Sequence, residues 1–142
     1  MKITKILFFF LPFFFILPIH NLKSEIIIMS ACDDKQDEFL KNEYVLNLDE
    51  LIMTRNYVYK EKTYQKYRIT DLSVKKSNTY VRNIYKEGQK ILTHKHGYPQ
   101  FYTQILFEIG KPEVFMKTVL NDEEGITKIS NCKKIEKFEK ES

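Results

Sequence analysis

Between residues 25 and 132 no long segment keeps apolar residues at the three-and-four spacing of a helix, while short apolar runs recur between turn-forming residues. That rhythm restricts the chain to β architecture. Ile26 to Cys32 is the first predicted strand, broken by Asp33-Asp34-Lys35-Gln36-Asp37. Tyr44 to Leu48 alternates with Tyr44, Leu46 and Leu48 on one face, and Leu51 to Thr54 returns after a turn at Asp49-Glu50. Tyr57 to Tyr59, Tyr64 to Leu72 and Thr79 to Tyr85 follow, with breaks at Glu61-Lys62 and at Lys75 to Asn78.

Gly88, Gly97, Gly110 and Gly125 all fall between apolar runs, and Pro99 and Pro112 share two of those breaks, which separate strands over Phe101 to Ile109, Val114 to Leu120 and Ile126 to Ser130. Phe107 and Phe115 are the expected core residues. Consecutive strands with short turns imply an all-β antiparallel meander: a curved sheet, barrel or sandwich of about seven or eight strands. Beyond Cys132 the charged tail, 133–142, spaces Ile135 and Phe138 three apart and Glu136 and Lys140 four apart, which suits a short C-terminal helix.

The amino terminus has a different character. Met1 to Lys5 is a charged start, and Ile6 to Ile19 is an apolar block with six phenylalanines, interrupted by Pro12 and Pro18. A bilayer-spanning helix needs about 20 apolar residues, so this shorter block reads as a secretion signal over residues 1–24. Cleavage after Ser24 leaves Glu25 to Met29 as a strand of the domain over 25–132, with Ala31 a second candidate site. The expected destination is periplasmic or secreted, with no transmembrane helix in what remains. In such a compartment Cys32 and Cys132 are expected to form a disulfide.

Residues 1–24 hold Lys2, Lys5 and Lys23 and no acid, so the remainder keeps 20 of the 23 basic residues and all 19 acidic ones. A net charge of about +1 gives no reason to expect nucleic acid as a partner. Charge is segregated all the same: residues 25–54 hold 8 acids and 2 bases, whereas residues 55–95 hold 11 bases and 3 acids. The basic stretch also carries Tyr57, Tyr59, Tyr64, Tyr67, Tyr80 and Tyr85. Cations interleaved with rings suit an anionic glycan, a lipid headgroup or an acidic protein, with Lys60, Lys66, Arg68, Arg82, Tyr67 and Tyr80 as candidate contacts. The bland alternative is a solvated outer face that keeps the sheet from aggregating.

His94 and His96 share a strand face and offer two ligands to a metal ion, short of the three or four a stable site needs. Met29-Ser30-Ala31-Cys32 resembles a bacterial lipobox, which implies lipidation of Cys32 and a membrane tether; its distance from the apolar block and the loss of a partner for Cys132 argue against that. No nucleophile elbow, phosphate-binding loop or zinc-protease helix motif occurs, and no cofactor is implied. The lack of an Asn-x-Ser/Thr sequon after residue 24 favours a bacterial envelope. The expectation is an exported, non-enzymatic binding or accessory protein.

Overall fold

A computed structural model describes residues 24–65 and 68–140, so the expected leader over 1–24 lies outside the described residues except for Ser24. Nine strands run in chain order: β1 Ser24–Asp33, β2 Leu40–Asn47, β3 Ile52–Gln65, β4 Arg68–Glu87, β5 Lys90–Thr93, β6 His96–Tyr98, β7 Phe101–Glu108, β8 Glu113–Leu120 and β9 Glu123–Lys140. All their pairings are antiparallel. The hydrogen-bonded order is β5-β4-β3-β2-β1-β9-β8-β7-β6, and an added β5–β7 pairing closes eight strands into a barrel with β6 outside the ring. Of the three architectures open to the sequence, the barrel is the one formed.

β3, β4 and β9 run past positions where local signals predict an end, and the expected break at Glu61-Lys62 is a register shift inside β3. Lys75 and Lys76 do not break β4, because they pair with Tyr59 and Val58 across a register shift in β3. The helical turns expected after Cys132 are not formed either. There β9 continues, with Ile135 opposite Met29, Glu136 opposite Ile28 and Phe138 opposite Ile26. A backbone with a full row of β1 partners gains more from the ladder than from a helix too short to be stable alone.

The core gathers Ile27, Met29, Tyr44, Leu46, Met53, Ile84, Ile91, Ile105, Phe107 and Val114 inside the ring. Phe107 is buried as expected and meets the Tyr44 ring edge-on at 5.3 Å. Phe115 is only half-buried, since it pairs with Leu106 on the opposite sheet face from Phe107 and Val114.

β1 carries a bulge between Met29 and Cys32, where Ala31 takes φ 52°. The extra residue shifts the alternation, so that Ile27 and Met29 are followed into the core by Cys32. Cys32 lies directly opposite Cys132, Cα to Cα 3.8 Å, and the two form a disulfide. That bond occupies the thiol which lipidation would require. At the other end of β9, Asn121 and Asp122 both take positive φ, which lets a two-residue turn join β8 to β9. No helix among the described residues is long and apolar enough to cross a membrane.

Candidate functional site

Alternation fixes which side chains of β2, β3 and β4 enter the lumen. Met53, Arg55 and Tyr57 of β3 lie opposite Leu46, Tyr44 and Asn42 of β2, and opposite Arg82, Tyr80 and Asn78 of β4. The first row is apolar on two strands, whereas the next rows bring in guanidinium groups, phenols and amides. Toward the end of the barrel that carries the β1–β2 loop, an apolar core therefore gives way to a polar, cationic lining.

Arg55 stands at the centre of that lining. Its Nε donates to Asn42 Oδ1 at 3.1 Å, and its guanidinium carbon lies 4.7 Å from the centroid of Tyr57 and 5.5 Å from that of Tyr44. Asn42 is itself buried, and its Nδ2 donates to Asp34 Oδ2 at 3.4 Å. Tyr57 and Tyr80 meet edge to face at 5.7 Å. Among the described residues no carboxylate forms an ion pair with Arg55 or Arg82; the acids Glu25, Glu43, Glu108 and Glu124 are instead matched with Lys137, Lys76, Lys111 and Lys117.

Two adjoining hollows open onto this cluster. One of about 250 Å³ is lined by Met53, Arg55, Tyr57, Tyr80, Arg82 and Ile105. The other, about 370 Å³, shares Arg55 and Tyr57 and is bounded by the β1–β2 loop from Asp34 to Asp37, with Met116, Thr127 and Lys128 across from it. Volumes of this order suit a small molecule more than a macromolecule.

Beside them, Tyr44 is fully buried and its hydroxyl has no hydrogen-bond partner among the described residues. Burial pushes its phenol up to about 12, while the Arg55 charge pulls the other way. An orphaned buried hydroxyl is costly. Tyr44→Phe is accordingly expected to raise stability by about 1 kcal/mol at pH 7 in the absence of ligand. The sign at high pH follows from the raised value. Below the ordinary value near 10 the phenol is neutral in both states and its ionisation costs the fold nothing; stability is then lost as pH rises from 10 toward 12, because the unfolded chain ionises first. Urea unfolding of both proteins at pH 7 and pH 11 checks this. A wild type that loses no more stability than the phenylalanine variant at pH 11 would contradict it.

Of the predicted anion contacts, Arg82 and Tyr80 face the smaller hollow. Lys66 and Tyr67 lie outside the described residues, and of Lys60 and Arg68 the backbone alone is described, on β3 and β4. Arg55 and Tyr57 complete the cluster, although sequence reasoning ended one strand at Thr54 and began the next at Tyr57. The signal was there as an unbroken alternation of Met53, Arg55 and Tyr57. His94 stacks edge-on against Tyr85 at 5.5 Å and His96 lies opposite Thr103, both exposed. Among the described residues no group of three or more His, Cys, Asp or Glu comes together as a metal site. Set against family models, curated proteins and solved structures, the chain matches none of them.

Proposed function

We propose that this chain is an exported, disulfide-closed β-barrel that binds a small anionic ligand at the open end of its lumen, as a binding or accessory protein of the cell envelope and not as an enzyme. One observation carries the reading: Arg55 and Arg82 face a shared hollow with no acid paired to them among the described residues, next to a buried phenol that lacks a partner. Guanidinium groups in a partly desolvated site bind carboxylate or phosphate oxygens more strongly than exposed lysines do. The tyrosine rings supply walls against which an organic body can rest. The disulfide is compatible with an oxidising compartment, which supports export.

Calorimetry on the purified, oxidised protein with acetate, benzoate, glucuronate and inorganic phosphate tests the idea. At least one of these is expected to bind, and the double change Arg55→Gln with Arg82→Gln to weaken it by tenfold or more, given roughly 1.5–3 kcal/mol per hydrogen bond to a charged group. Heats equal to buffer for all four probes, or an unchanged affinity in a double variant with a native melting curve, would remove the lumen from consideration.

A further inference from the structure

Tyr98, Phe101 and Leu120 are exposed to 79%, 49% and 52%, an unusual concentration of apolar surface at one end of a small barrel. They form a continuous cross-strand set, Tyr98 opposite Phe101 and Phe101 opposite Leu120. Alternation also places Phe101 and Leu120 on the lumen side of the sheet, with Tyr98 of β6 adjoining them at the rim. On β7, Phe101 shares its face with Thr103, Ile105 and Phe107, and on β8, Leu120 shares its face with Thr118, Met116 and Val114. Ile105 lines the hollow under Arg82, and Met116 the hollow beside Arg55. From there the column rises four residues, about 13 Å along the strand, through threonine to the apolar rim.

An anion with a purely polar body, such as a uronate, has no use for that rim. A free apolar rim adjoining a cationic hollow instead matches a molecule that is charged at one end and hydrocarbon at the other. We infer that the ligand is a single-chain amphiphile with an anionic head, held as a monomer with its head at Arg55 and Arg82 and its chain lying along Ile105 and Met116 to Tyr98, Phe101 and Leu120. The Tyr44 ring lies 5.5 Å from the Arg55 guanidinium that would hold the head. This inference rests on the anion-binding reading and narrows it to one class of ligand.

The test is a chain-length series on the oxidised protein: acetate, hexanoate, octanoate and decanoate, each below its micelle concentration, with decyltrimethylammonium as a control of opposite charge. Affinity is expected to rise about fourfold for each methylene that reaches the lumen wall, and the cationic control not to bind. Phe101→Ser with Leu120→Ser should flatten the series while leaving the affinity for acetate and the melting temperature near wild type, since both residues are already half-exposed. A flat series in the wild type, or equal binding of the cationic amphiphile, overturns the inference. Acetate binding that still depends on Arg55 would in that event leave the anion reading standing, whereas no binding of any anion would end both. Sedimentation with phosphatidylglycerol vesicles without capture of free decanoate also overturns it, in favour of a membrane-docking rim.

Discussion

Reducing the Cys32–Cys132 bridge is expected to lower stability by about 4–5 kcal/mol, seen as a fall in melting temperature of roughly 15–20 °C. The two cysteines are 100 residues apart, so the bond closes nearly the whole domain and removes a large share of the unfolded chain's freedom. It also joins the strands that carry the two chain ends, β1 and β9, at a point where both side chains are buried. Paired Cys→Ser changes place hydroxyls in that buried site, so they should cost at least as much as reduction. Thermal melts with and without reductant decide the matter, and coincident curves under conditions that reduce the bond completely would refute it.

Phe107→Ala is expected to cost about 3–5 kcal/mol, close to the entire stability of many small domains. Phe107 is 1% exposed, meets Tyr44 of β2 edge-on, and pairs across its strand with Ile91 of β5 and Val114 of β8. The cavity would open next to Tyr44, whose ring is held edge-on by Phe107 and lies under the Arg55 guanidinium. Under the proposed anion-binding role, affinity should therefore fall along with stability, while Phe107→Leu, which refills most of the volume, should cost far less. Urea denaturation of both variants provides the comparison. Equal losses for leucine and alanine would mean that volume is not what Phe107 supplies.

The fold was legible wherever alternation and turn chemistry agreed. Tyr44 and Leu46 share one face as their alternation implied, Phe107 is buried as expected, and Gly88 and Gly110 mark turns with positive φ. Barrel closure was not legible, because the β5–β7 pairing joins strands separated by the β6 excursion and leaves no local signature. The middle of β4 and the end of β9 differ from expectation because one lysine-rich stretch reads as a break and the other as a short helix, yet a strand takes its state from its partner. The same bias hid Arg55. An arginine on a strand reads as an interruption unless the strand lines a polar lumen, and nothing in the sequence says which face becomes the lumen.

The bulge at Ala31 makes the covalent tie between the chain ends depend on a count of residues as well as on two sulfurs. A strand of strict two-residue repeat would turn Cys32 outward and hand its place to Ala31, leaving Cys132 with a methyl group for a neighbour. A change that straightens the strand at position 31 would thus undo the crosslink while keeping both thiols in the chain, and a glycine at position 31 would hold the left-handed bend at less cost than alanine does. The spacing between Met29 and Cys32 is under the same physical constraint as the cysteines themselves.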